Sequence, residues 1–364
     1  MGLGARPSRF ARARLGAGAL LAGLVACRAA ETSIPLVPVA GPGPYEALAP
    51  GAPALLEAAV RDLEAGLAGQ ALEALGELAR THPRNIVVGR WLQEAELALG
   101  DPGAEGEQDG AGVLRRAWRG RADAEPNPTS LILAARLEDD PAAALLLLER
   151  ALALDPDCAW ARYGQAAVHA RAGEWGDARE AARAALESAP GHLATLRLWA
   201  WLEGQTGRRA GAIVVLRAWL ERAALDPGTS AAQRAEARFD LALLLLGEER
   251  AQEAREVLLA LSGEGAQEAR RLAALAVAEQ TLGDPLAARA AAAAAQEADR
   301  RDLLPAVQEA LLDEYWLDDA GRARESWRRV LVLSGGRPDL GSVMQRMRAQ
   351  VHLDRLPRSA GDSD

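Results

Sequence analysis

The chain has 364 residues, 49 % of them apolar and only 4 % aromatic, with a formal net charge of −9. All 42 basic residues are arginine, set against 51 acidic ones. That balance argues against a protein that grips nucleic acid by its phosphate backbone, and it offers no polybasic attraction to anionic lipid. The excess of Ala, Gly and Arg, with no Lys and two Asn, is what a GC-rich genome produces, so the arginine bias is read as codon composition.

Residues 1–26 have the pattern of a secretory signal. Arg6, Arg9, Arg12 and Arg14 form a positive start, and Leu15 to Ala26 is an uncharged stretch of 12. A permanent membrane helix needs about 20 apolar residues, so this stretch is too short to be one. At its end stands Leu24-Val25-Ala26-Cys27, which resembles the bacterial lipobox. The resemblance implies lipidation of Cys27 and a place in the bacterial cell envelope, lipid-anchored and facing the periplasm or the exterior. Ordinary cleavage near Ala29-Ala30, or an uncleaved anchor, is the alternative. Residues 27–51 follow as a Pro/Gly/Ala-rich tether without amphipathic period, of the composition that favours extended polyproline-like chain.

From Ala52 the chain turns periodic. The clearest unit is Ala159 to His192, AWARYGQAAVHARAGEWGDAREAARAALESAPGH. Two amphipathic segments flank Gly173, and Pro190, which lacks an N–H, closes the second. Steps of 34 residues carry Pro190 to Pro156, Gly173 to Gly207, Ala166 to Ala200, and Ala178 to Ala144 and Ala212. A 34-residue helix–turn–helix with this punctuation resembles the tetratricopeptide repeat. The resemblance implies an all-α fold, a TPR-like α-solenoid in which antiparallel helix pairs build a right-handed superhelix. About eight repeats are expected over 52–336, a capping helix over 337–353 and a disordered tail over 354–364. An insertion, Asp101 to Gly112, has loop composition. A short first helix is expected over Ser130–Leu137, and its partner over Pro141–Leu154. The fifth repeat, closed late by Pro227, is expected to have a second helix about one turn longer, and Gly228 to Arg234 reads as a linker. In the sixth and eighth repeats Glu249 and Asp318 stand where the turn glycine belongs.

Little in the chain suggests catalysis. There is no H-x-x-x-H, C-x-x-C, G-x-S-x-G or P-loop, and the four histidines show no ligand spacing. No metal or other cofactor and no enzyme activity are expected, and Cys158 reads as a buried thiol. In the repeat family the first helices line a concave groove through positions 2, 5, 9, 12 and 13. Carried onto this sequence, those positions place Trp160, Tyr163 and Arg171 in one repeat, Arg197 and Trp201 in the next and Phe239 in the sixth; Arg90 and Glu94 fall there in the second. The six form a candidate aromatic–arginine strip for a protein or peptide segment, since such residues dominate interface hot spots. A shift of one residue would instead make the aromatics inter-repeat core. The resemblance thus implies a non-enzymatic interaction scaffold touching the membrane only through its lipid, with no nucleic acid bound. The alternatives are a chaperone-like or regulatory subunit for an envelope enzyme or a secretion, pilus or outer-membrane assembly machine, and a cytosolic adaptor.

Overall fold

The computed structural model describes residues 45, 47–100, 110–226, 229–263, 265–335, 337 and 339–357. Cys27, the signal segment, most of the tether, the core of the insertion at 101–109 and the tail from 358 lie outside the described residues. Among those described, all regular structure is helical: seventeen α-helices and no strand. None of these helices is long and apolar enough to cross a membrane.

The helices come as antiparallel pairs: α1 (Ala52–Glu64) with α2 (Ala68–Thr81), α3 (Ile86–Leu99) with α4 (Gly110–Ala124), α5 (Pro128–Arg136) with α6 (Pro141–Leu154), and α7 (Ala159–Arg171) with α8 (Trp175–Ser188). Then follow α9 (Leu193–Gln205) with α10 (Arg209–Ala223), α11 (Ala231–Gly247) with α12 (Ala251–Leu259), α13 (Gly265–Leu282) with α14 (Pro285–Ala298), and α15 (Leu303–Tyr315) with α16 (Ala320–Ser334). A last helix, α17 (Leu340–Arg355), packs on α16. The described chain divides into two compact units, one ending at Ala237 and the other beginning at Arg238. Each is an α-solenoid in which chain neighbours pack and first helices also meet across a repeat, as α3 does α5, α5 does α7 and α13 does α15.

Local chemistry explains where these helices start. Asn85, Asn127, Asp140, Asp284, Asp302, Asp319 and Asp339 each accept a hydrogen bond from a backbone N–H of the first turn, replacing a partner the helix cannot supply. Proline opens α5, α6 and α14, where an N–H would be unpaired anyway. The expected linker over 228–234 is corrected at this point. Ser230 and Gln233 form a reciprocal cap, Gln233 N donating to Ser230 Oγ at 3.1 Å and Ser230 N to Gln233 Oε1 at 3.0 Å, so 231–234 is the first turn of α11. The late Pro227 does not lengthen α10, which ends at Ala223.

Six of the eight hairpins turn through one residue in the left-handed region. Gly66, Gly173, Gly207 and Gly283 have φ between +77° and +88°. Glu249 and Asp318 occupy the same place at φ +59° and +54°, so the turn keeps its geometry where the glycine is lost. Where helices cross most closely, alanine sits buried: Ala71, Ala144, Ala166, Ala178, Ala212, Ala254, Ala288 and Ala323 are all 0 % exposed. At Gly164 a Cβ would lie 2.6 Å from Leu148 Cδ2, so the buried leucine would have to move to admit one.

A polar rung recurs between repeats. A second helix carries Arg, and the next first helix carries the acid 24 residues later. Arg179 pairs with Glu203 (2.9 Å), Arg255 with Glu279 (2.7 Å) and Arg289 with Asp313 (2.6 Å). The acids are at most 10 % exposed at the side chain. The last residues of the expected tether are fastened to the first unit. The Tyr45 hydroxyl donates to Asp155 Oδ2 at 2.5 Å and the Tyr45 carbonyl accepts from Ile86 N at 2.8 Å, while Ala49 N donates to His82 Nε2 at 3.0 Å. Burial, with the Asp155 hydrogen bond, pushes the Tyr45 hydroxyl well above its ordinary pKa, so it stays a donor.

Candidate functional site

Within the first unit the first helices α3, α5 and α7 enclose a small cleft of about 40 Å³, open to solvent. Its walls are apolar, with Ile86, Ile132, Leu133, Leu148 and Trp160 among them. Into this wall are set Arg90 from α3, Arg136 from α5, and Tyr163 and Arg171 from α7. Gly164, packed closely on Leu148, forms part of the α7 wall.

The polar groups of the cleft are unevenly satisfied. Arg136 donates to Gln93 Oε1 at 2.9 Å and to Glu94 Oε1, and Gln93 Nε2 in turn donates to the Leu133 carbonyl at 2.9 Å. Arg90 lies 3.7 Å from the same Glu94. Arg90 Nε and Nη1, Arg136 Nε and the Tyr163 hydroxyl are withdrawn from water and have no hydrogen-bond acceptor. Burial, aided by neighbouring Arg136, pulls Arg90 down to about 9, which still leaves it charged at neutral pH. Burial likewise lowers Arg136, against the pull of Glu94, and raises the Tyr163 hydroxyl, against the three arginines.

The sequence-expected strip is distributed as follows. Trp160 and Tyr163 are 3 % and 5 % exposed; both belong to the continuous core cluster and both border the cleft. Their rings meet edge to face at 5.7 Å, and Trp160 stands edge-on to His192 at 4.5 Å. Arg171 is exposed at the rim. Arg197 is buried, its guanidinium 5.5 Å from the centre of the Trp219 ring. Trp201 is half-buried and pairs with exposed Trp175 at 5.6 Å. Phe239 belongs to the second unit, under the guanidinium of Arg270 at 5.0 Å. Three of the six candidates therefore line the cleft, and Cys27 lies outside the described residues. Arg90 and Glu94 were expected on the groove face; Arg136 was not. Counting from Pro128 instead of the expected helix start would have put Arg136 at position 9.

One donor set among the described residues has the composition for a divalent cation. His169, Glu174 and Asp177 hold their ligand atoms within 4.8 Å of one another at the turn between α7 and α8. His169 Nδ1 already lies 2.7 Å from Glu174 Oε2, and both carboxylates sit where the α8 N-terminus favours negative charge. The spacing, His then Glu five and Asp eight residues on, falls outside the motifs sought in the sequence.

Residues 135–201, which contain most of this site, match the family model described as tetratricopeptide repeat. No curated protein matches the sequence. Among solved structures, a chain of the APC/C hetero-tetramer Cut9–Hcn1 aligns over 81 % of this chain at 16 % identity, with a TM-score of 0.52. The aligned region is 55 % of that chain, so this protein spans about half its length. Yeast Tom70 aligns over 92 % of this chain and 72 % of its own at 12 % identity and TM-score 0.47. PilF of Pseudomonas aeruginosa aligns over 67 % of this chain and 99 % of its own at 17 % and 0.44.

Proposed function

We propose that this tetratricopeptide-repeat protein is a non-enzymatic scaffold of the bacterial cell envelope, held there by a lipidated Cys27, that captures protein segments along its first helices. The helix-pair fold supports a role in protein–protein contact. The observation that carries the groove assignment is the cleft between α3, α5 and α7, an apolar trough with cationic side chains in its wall and at its rim. Trp160 and Tyr163 form its rigid floor, and Arg171 is the exposed contact at its edge. Arg197, Trp201 and Phe239 are proposed as further contacts along the first helices. Export and anchoring rest on the sequence of residues 1–27 alone.

The two halves of the proposal are tested separately. Labelled palmitate should enter the protein in its producing bacterium and be lost in Cys27→Ser; equal labelling of both removes the anchor. A photo-crosslinking residue in place of Arg171 should trap a protein partner in intact cells, while the same residue at Arg183, exposed on α8, should not. Equal trapping at both positions removes the groove.

A further inference from the structure

We propose that the outer face of α17 is a two-fold interface on which a second copy of this chain lays its own α17 antiparallel. The helix is apolar on two sides. Its inner side is already used: Ser342, Ala349 and His352 are buried, and Leu353 and Leu356 pack on the cluster that holds Ala306, Trp327 and Val330. Polar bonds pin it there as well. Arg324 donates to the Leu353 carbonyl at 3.1 Å and to the Leu356 carbonyl at 2.9 Å, and His352 Nδ1 lies 2.9 Å from Glu314 Oε2. The outer side nevertheless leaves Met344 59 %, Met347 63 % and Val351 46 % exposed. No other described helix exposes three large apolar side chains. The end of a solenoid ordinarily turns a polar face outward, because no further repeat stacks on it.

The spacing points to a helix as the cover. Positions 344, 347 and 351 are the a, d and a of a heptad, the seam along which one helix packs on another. Charge then favours a second α17 over other helices. Antiparallel packing of a on d sets Met344 of each copy against Met347 of the other, with Val351 opposite the first turn of the other helix. The same register brings Asp354 and Arg355 beside residues 337–339 of the other copy, where Arg337 and Asp339 stand. All four are at least partly exposed. Asp354 thus meets Arg337 and Arg355 meets Asp339, each twice by symmetry. A parallel pair would instead stack Asp354 on Asp354 and Arg355 on Arg355. Arg346 bonds inward to the Ser334 carbonyl, so the face carries Arg337, Asp339, Arg348, Asp354 and Arg355, a sum of 3 − 2 = +1. Two copies therefore meet at a nearly neutral surface although each chain carries −9. A patch complementary to itself across a two-fold axis closes as a dimer.

The test uses the full chain in its producing bacterium, as two differently tagged copies with a photo-crosslinking residue in place of Val351. Irradiation should join the two tags in a product of twice the chain mass, and the linked peptide of the second copy should lie within residues 337–344. Met347→Glu, which puts a carboxylate in the seam, should lower the yield at least about tenfold with abundance and trypsin resistance unchanged. Asp354→Arg should lower it about fivefold, and Arg337→Asp on the same chain should restore it. A product of another mass gives the face to a different protein, and a link to phospholipid gives it to the membrane; either overturns the proposal. So does a link into residues 351–355 of the second copy, the absence of any product, or a charge swap that restores nothing. Trapping at position 171 reports on the groove alone, so the dimer and the scaffold reading are judged separately.

Discussion

The rung between Arg289 and Asp313 allows the inter-repeat coupling to be measured. Asp313 is wholly buried and accepts from Arg289 Nε at 2.6 Å and from Ser326 Oγ at 3.0 Å. Arg289 retains 29 % side-chain exposure and also feels Glu309 and Asp319. Two unit charges about 4 Å apart at an effective dielectric of about 20 attract by about 4 kcal/mol, and desolvation takes back part of that. The two single variants should therefore differ. Arg289→Ala strands a buried carboxylate with one hydroxyl and should cost about 3 kcal/mol. Asp313→Ala leaves an arginine that reaches water and other acids, and should cost about 2 kcal/mol. The double variant should cost about as much as Asp313→Ala alone, giving a coupling of about 3 kcal/mol. Because repeats can open one at a time, the readout is hydrogen exchange of amides in α15 and α16 rather than one melting curve. Arg289→Ala should accelerate the most protected of them by about two orders of magnitude. Additive single effects, or two singles each within about 0.5 kcal/mol of wild type, would refute the view that the rung couples neighbouring repeats.

Three further outcomes follow from the same physics. Gly164→Ala should destabilise the first unit by about 1–3 kcal/mol through the clash with Leu148, and should cost less in a Leu148→Ala background, as chemical denaturation can show. Glu249→Gly should stabilise by about 1 kcal/mol, since glycine adopts the φ of +59° without the Cβ penalty; a lower melting temperature would contradict the turn argument. His192 is buried against Trp160 and pulled by burial from 6.5 down to about 3. The folded chain then binds fewer protons than the unfolded chain between those values. Its contribution is complete above pH 6.5 and is lost on acidification toward about 3, at about 1.4 kcal/mol per pH unit. In His192→Gln the stability–pH slope across that window should flatten, and an unchanged slope would exclude His192 as its source.

The helical hairpins were legible in the sequence because their determinants are local and repeat. The left-handed turn position was visible even at Glu249 and Asp318, where no glycine marks it, because the 34- and 35-residue steps from Gly283 point to them. Pro141 announced the start of α6 to the residue. The Ser230–Gln233 cap was equally local, but the helix-breaking residues Pro227 and Gly228 just before it masked it. The cleft was less legible. Arg171, Trp160 and Tyr163 were reached through the regular seventh helix, whereas Arg136 lies on the shortened α5, where an uncertain start leaves the facing of every residue uncertain. One residue of register rotates a side chain by about 100° around the helix, enough to move it from groove to core.

By itself the sequence determined the period, the sites of the turns and the small residues at the crossings. Each of these depends on what a residue does to its own backbone or to a neighbour at fixed spacing. Only the tertiary structure decided that Arg90 and Arg136, 46 positions apart, share Glu94 across one cleft. It also decided that Tyr45 closes onto Asp155 across 110 positions and that four donors are left without acceptors. Satisfaction of a polar group depends on which distant atoms surround it, and a one-dimensional pattern of helix faces does not contain those distances.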